Sequence, residues 1–201
     1  LELNYLSKEV NILRKRYDNA YKVDMIVGNN KKMKEIYEQI KVVAPTSLTV
    51  MLQGESGTGK EVAANMIHRL SDRKDKPFIA IDCGPIPDTL IESELFGHEK
   101  GAFTDARTQK EGKVEQANGG TIFLDEITNL SDANQMKLLR AIQEKKIIRL
   151  GGKKTIELDI RIITASNVNL NEAVNSEMFR ADLFYRLNEF HIDLPALRDR
   201  K

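Results

Sequence analysis

Residues 50–61 read VMLQGESGTGKE, an apolar run followed by a turn that holds Gly54, Gly57 and Gly59 and ends in Lys60. The run has the pattern of a buried strand, and KEVAANMIHRL from residue 60 onward has that of a helix. In such a turn Gly54, Glu55, Ser56, Gly57, Thr58 and Gly59 offer backbone amides that wrap a polyphosphate. The helix N-terminus adds partial positive charge and Lys60 reaches the terminal phosphates. A glycine-rich turn that binds nothing is the plainer alternative. One position departs from the general phosphate-loop pattern: Glu61 stands where Ser or Thr usually meets magnesium. A metal ion there leans on water and on a second carboxylate.

Working outward, SLTVML (47–52), PFIAID (77–82), GTIFLD (120–125) and IRIITAS (160–166) are short β-branched runs separated by helical stretches. The clearest helix is DANQMKLLRAIQE (132–144), with Met136, Leu139 and Ile142 in phase. This alternation predicts an α/β fold, a mainly parallel sheet covered by helices on both faces. Gly151 and Gly152 between KIIRL and KKTIELD suggest an inserted hairpin. NNKKMKEIYEQIKVVAP (29–45) carries Met33, Ile36, Tyr37, Ile40 and Val43 on one face and stops at Pro45. At the start, Leu3, Leu6, Val10, Leu13 and Tyr17 mark a two-heptad seam, which fits a helix that pairs with a second copy or one packed on its own domain.

Three further groups carry candidate chemistry. GGTIFLDEI (119–127) ends a strand in adjacent carboxylates: Asp125 suits a hydrated magnesium ion and Glu126 an attacking water, although a solvated turn has the same look. RIITASNVNL (161–170) ends in Ser166 and Asn167, both able to hydrogen-bond a γ-phosphate or its water. In MFRADLFYRLNEFHIDLPALRDR (178–200), Arg180 and Arg186 lie on a short helical stretch. Surface salt bridges are the simpler reading of that pair; a charge-stabilising fork offered to a neighbouring subunit is the other. Asp82, ending PFIAID, is placed to pair with Glu126 and hold it back, and Cys83 reads as a packed small residue.

Composition removes several classes. The 31 basic and 30 acidic residues leave a net charge of +1, no cationic footprint for nucleic acid or an anionic membrane. One cysteine excludes an internal disulfide framework and, with no signal peptide or long apolar run, points to a cytoplasmic protein with no membrane partner. The opening without Met and the ending in LRDRK suggest a piece of a longer protein.

ELFGHEKGAFTDAR (94–107) places Phe103 and Thr104 in a charged segment that neither helical nor strand periodicity explains. Taken with GESGTGKE, SELFGHEKGAFTDA, GGTIFLDEI and FRADLFYRL, in that order, it makes the chain resemble the AAA+ ATPase domain of bacterial enhancer-binding proteins, the activators of sigma-54 RNA polymerase. The resemblance covers about residues 23–201, with residues 1–22 as a linker helix from an upstream sensory domain. It implies a three-layer αβα P-loop fold with a five-stranded sheet. It also implies ATP and Mg2+ as ligands, Gly54 to Glu61 as Walker A, Asp125 and Glu126 as Walker B, and Asn167 with Ser166 as the γ-phosphate sensor. Arg180 and Arg186 become trans-acting arginine fingers of a ring, a hexamer by resemblance, and Ile26, Val27 and Gly28 lie against the adenine.

By the same resemblance Gly101, Ala102, Phe103, Thr104, Asp105 and Ala106 match the family's GAFTGA tip, a loop inserted into a helix that grips sigma-54. Asp105 replaces the fifth-position Gly; a positive φ there would suit Asp better than most side chains. Asp82 falls where the family usually has an Asn that restrains the Walker B glutamate, and an anionic Asp has no proton to donate. The implied function is an ATP-driven activator that remodels sigma-54 holoenzyme and promotes open-complex formation. The alternative is a nucleotide-sensing oligomerisation module uncoupled from sigma-54 by Asp105. A helical lid and a helix-turn-helix DNA-binding domain follow in the family and are absent from these 201 residues, so slow hydrolysis is expected of them alone.

Overall fold

The computed structural model describes residues 30–84 and 86–200. The chain runs through helix α1 (Lys31–Val43), strand β1 (Val50–Gln53), helix α2 (Lys60–Arg69), strand β2 (Phe78–Asp82) and helix α3 (Asp88–Phe96). Short strands β3 (Gly97–His98) and β4 (Lys110–Glu111), helix α4 (Lys113–Gln116), strand β5 (Thr121–Asp125) and helix α5 (Asp132–Glu144) follow. Strands β6 (Lys146–Ile148), β7 (Thr155–Glu157) and β8 (Arg161–Ser166), helices α6 (Leu170–Asn175) and α7 (Ala181–Leu187) and strand β9 (Phe190–Asp193) complete it.

Five strands form one sheet in the order β2-β5-β8-β1-β9, and every pairing in it is parallel. All six residues of β8 are buried, as a strand covered on both faces requires. Side chains alternate between the two faces, and the alternation divides the core. Val50 and Leu52 of β1, Phe123 and Ile163 pack beneath α1 and α2, whereas Met51, Ile122, Leu124 and Ile162 pack against α3, α5 and α7. The three-layer αβα expectation therefore holds. The glycine pair also behaves as read: β6 and β7 form an antiparallel hairpin around Gly151 and Gly152.

Two readings change. The fifth strand, β9, lies within a stretch read only for its helix; Phe190 pairs opposite Val50, which makes β9 the edge beside β1. In α5 the buried face is Asn134, Gln135, Leu138, Leu139 and Ala141, while Met136 is 36% exposed. Gln135 explains the rotation. Its amide donates to the Leu130 carbonyl at 2.7 Å and the Met178 carbonyl at 3.2 Å, and its oxygen accepts from the Arg180 N–H at 2.8 Å. A fully bonded buried amide behaves as a core residue, so Gln135 joins Leu139 and Ile142 on the core side and Met136 lies outside it. The two-heptad linker and Ile26, Val27 and Gly28 lie outside the described residues.

Candidate functional site

The glycine-rich turn connects the C-terminal end of β1 to α2. Gly57 and Gly59 have φ of 79° and 85°, the left-handed region that favours glycine, and nothing lies within 4 Å of where a Cβ would stand at Gly57. Gly54 is needed for a different reason: a Cβ there would come 2.7 Å from the Leu194 carbonyl. Lys60 is 7% exposed, and its ammonium donates to the Gly54 and Glu55 carbonyls at 3.0 and 3.1 Å. Thr58 donates back to the Glu55 carbonyl at 2.8 Å. Ser56 and Glu61 are exposed.

A cleft of about 200 Å³ opens beside the turn, between Met33, Ile36, Tyr37 and Ile40 of α1 and Val62 and Met66 of α2. It is apolar on one side and lined by Gly57, Thr58 and Gly59 on the other, which suits a flat heterocycle joined to a polyphosphate. Two arginines beyond β9 reach this loop, and the sequence reading missed both. Arg198 pairs with both Glu55 carboxylate oxygens, one at 2.7 Å, and holds that carboxyl below its usual range. Arg200 lines the cleft and donates to the Thr58 and Pro195 carbonyls. The only sequence signal was their position in a charged run.

β5 is the sheet neighbour of β8, one strand from β1, and delivers Asp125 and Glu126 to the same sheet edge. Asp125 Oδ1 accepts from the Glu126 N–H at 2.9 Å, a tight turn that puts Glu126 at φ 50°, ψ 44°. A non-glycine residue in the left-handed region is uncommon and clusters where function needs it. The Glu126 carboxylate accepts hydrogen bonds from the side-chain amides of Asn129 at 3.0 Å and Asn167 at 3.4 Å. Asp82 lies close by, its Oδ1 accepting from the Gly84 N–H at 2.9 Å. Cys83 is buried, and desolvation with the neighbouring carboxylates pushes its thiol up to about 12, as a packed residue rather than a nucleophile. Ser166 is fully buried and spends its hydroxyl on the Val168 carbonyl and N–H.

Arg180 caps the start of α7 and forks onto Asp182 at 2.9 and 3.1 Å, with Asp132 also at 3.1 Å. Arg186 is exposed, 4.0 Å from Glu189. Within one chain both arginines thus make the surface ion pairs of the simpler reading, with Tyr185, 76% exposed, between them in sequence.

The tip at 101–106 stands on the β3–β4 ribbon between α3 and α4. Its base is closed by the Gly101 N–H donating to the Ala106 carbonyl at 2.8 Å, and Gly101, not Asp105, carries the positive φ, 83°. Asp105 is not among the residues with positive φ, so the tolerance of Asp for that region is not called on here. Phe103 is 40% exposed and stacks edge-on against His98, which Ser93 holds at 2.7 Å. Ala102 abuts Gly151 of the β6–β7 hairpin, and Arg149 beside it binds Glu99 and Glu115, coupling hairpin and loop base.

The profile of the family described as Sigma-54 interaction domain matches residues 26–193. The chain belongs to the sigma-54 interaction domain family. It is similar to the Nif-specific regulatory protein of Herbaspirillum seropedicae, 49% identical over 200 residues, which cover 100% of this chain and 37% of that protein. Among solved structures, NtrX from Brucella abortus in complex with ATP has a TM-score of 0.81 at 34% identity, over 96% of this chain and 44% of that one. The P-loop NTPase domain of the sigma-54 transport activator from E. coli has a TM-score of 0.56 at 18% identity, over 82% of this chain and 95% of that one, a likeness of fold alone. The chain spans about a third of the length of the curated relatives it matches. As a sigma-54 interaction domain it is a domain of the sigma-54-dependent activator family with an AAA+ P-loop fold. Among the described residues no helix is long and apolar enough to cross a membrane.

Proposed function

We propose that this domain binds and hydrolyses ATP and uses the cycle to drive the 101–106 loop against sigma-54 RNA polymerase, promoting promoter opening. The observation that carries the reading is the convergence at one sheet edge of the glycine turn with Lys60, the Asp125–Glu126 pair and Asn167. The left-handed glycines with free space before them and the adjoining apolar cleft fit a nucleotide, and the solved NtrX complex with ATP supports that choice. Ile26, Val27 and Gly28 complete the adenine side by resemblance.

In this reading the backbone amides of residues 54–60 and the Lys60 ammonium hold the phosphates, and Lys60 exchanges its two carbonyl partners for phosphate oxygens. Glu126 orients and deprotonates the attacking water, and Asn167 reads the γ-phosphate from the neighbouring strand. Magnesium, when bound, neutralises charge on the phosphates. Asp125 would hold it, because its half-buried carboxylate spends one oxygen on the Glu126 N–H and keeps the other. Among the described residues no three His, Cys, Asp or Glu side chains are arranged to hold a metal ion by themselves, so water and phosphate oxygens would complete the shell, as is normal for this ion. Arg180 and Arg186 act on the nucleotide of a neighbouring subunit in a ring, where Arg180 leaves Asp132 and Asp182. DNA contact belongs to a separate C-terminal domain of the intact activator.

The test is ATP turnover and ATP binding by wild-type, Lys60→Ala and Glu126→Gln proteins. Binding should fall more than about tenfold in Lys60→Ala and persist in Glu126→Gln while turnover is lost. Equal turnover in all three would refute the assignment.

A further inference from the structure

Glu126 is the group on which the proposed hydrolysis turns, and its seat is built differently from what position 82 suggests. Asp82 acts as an acceptor, its Oδ1 occupied by the Gly84 N–H. The shorter of the two amide contacts to Glu126 comes from Asn129, three residues onward at the end of the 3-10 turn Ile127–Asn129. That turn follows directly from the left-handed backbone at Glu126, and the Asn129 N–H bonds back to the Glu126 carbonyl at 3.0 Å. Backbone and side chain of Asn129 therefore both close on Glu126. Gly84 leaves room for this: a Cβ there would fall 2.1 Å from Glu126 Oε2 and 3.2 Å from both Asn129 Nδ2 and Asp82 Oδ1. The three polar side chains meet around one missing methyl group, with the amide on the Asn129 side.

We propose that Asn129 is the positioning residue for Glu126, supplying from within the same loop the amide that fixes the carboxylate where the residue at position 82 is an acceptor. The proposal rests on the hydrolytic reading above. One Nδ2 proton bonds Oε2, the Asn167 amide bonds Oε1, and the carboxylate keeps lone pairs for water. Asn129→Asp keeps the shape and replaces the donor with a like charge, so the carboxylate is pushed out of its seat. Asp82→Asn keeps the oxygen that the Gly84 N–H needs and adds an amide donor to the same cluster.

The experiment uses the 201-residue chain with saturating ATP. Asn129→Asp should lower kcat about three- to tenfold with KM for ATP unchanged within about twofold, the pattern of a misplaced base rather than a lost binding contact. Adding Asp82→Asn should restore most of the loss. An unchanged kcat in Asn129→Asp, or a double variant as slow as the single one, overturns the proposal. A second measurement needs no turnover: in nitrogen-15 spectra of the nucleotide-free chain, Glu126→Ala should shift one of the two Asn129 side-chain amide protons upfield. A stationary resonance overturns the proposal. If the wild type hydrolyses no ATP while that resonance moves, the hydrolytic reading fails and the Asn129 seat stands.

Discussion

At the residue scale, Cys83 shows how burial and charge set chemistry. It lies between Asp82 and Gly84, yet burial first, then the carboxylates of Asp82, Asp125 and Glu126, raise its thiol to about 12. Its folded value is above its unfolded value, so its contribution to stability is complete below about pH 9 and is lost as pH rises through 12. Urea midpoints measured from pH 8 to pH 11 should therefore fall less in Cys83→Ala than in wild type, and alkylation of wild-type Cys83 at pH 8 should proceed only at the rate of unfolding. Rapid alkylation of the folded protein would contradict this. Gly84 offers a second check. Gly84→Ala puts a methyl group on the end of a flexible side chain, so the fold should survive, with Tm within about 2 °C, while ATP turnover drops because Glu126 is displaced.

Residue types with one chemical meaning were legible in the sequence: Lys60 after its glycines, Asp125 and Glu126 at a strand end. Those whose role depends on a neighbour's direction were not. Ser166 bonds within its own turn, Asp82 bonds the Gly84 N–H, and the shorter of the two amide contacts to Glu126 comes from Asn129, which has no periodicity or motif to mark it.

At the element scale, helix α1 is tied to the sheet through one buried cation. Arg161 at the start of β8 is 2% exposed and donates to the Val43 carbonyl at 2.9 Å and to that of Ala44, satisfying the end of α1. Burial lowers this arginine to about 10, a cost offset by its bonds to the Ala44 carbonyl and to the Val43 carbonyl, which also accepts from the Thr46 N–H and hydroxyl. Arg161→Met should cost about 2–4 kcal/mol and weaken nucleotide binding, because α1 forms one wall of the cleft. Denaturant unfolding and nucleotide titration of the same variant check both effects. Stability equal to wild type would show that α1 holds itself in place.

Elements with strong periodicity or β-branched runs, such as β5, β8 and α1, were readable in advance. The β9 edge was not, because FHID is a short run directly after a helix and its strand state comes from pairing with β1. On α5, Leu139 and Ile142 pack on the core as read and only Met136 departs, because Gln135 is buried by three hydrogen bonds that a hydrophobic pattern does not register.

At the scale of the whole molecule, the roles proposed for the tip at 101–106 and the Arg180–Arg186 segment lie beyond one chain. Within it, Phe103 rests on His98 and Arg180 is held by two aspartates, contacts that can be exchanged for others. If the arginines act on the neighbouring subunit's nucleotide, equal mixtures of Arg180→Ala and Glu126→Gln proteins, each inactive alone, should recover up to about a quarter of wild-type ATP turnover, since some interfaces then pair an intact Glu126 with an intact Arg180. A mixture as inactive as its components would place Arg180 in a role within its own chain.

Promoter opening by sigma-54 RNA polymerase is the most direct measurement of the central claim, made with the intact activator and ATP in wild-type, Phe103→Ala and Asp105→Gly forms. The account predicts that the wild type and Asp105→Gly open the promoter, and that Phe103→Ala hydrolyses ATP at the wild-type rate yet opens nothing. A wild type that hydrolyses ATP without opening, alongside an Asp105→Gly form that opens, would contradict it and show a motor uncoupled from sigma-54.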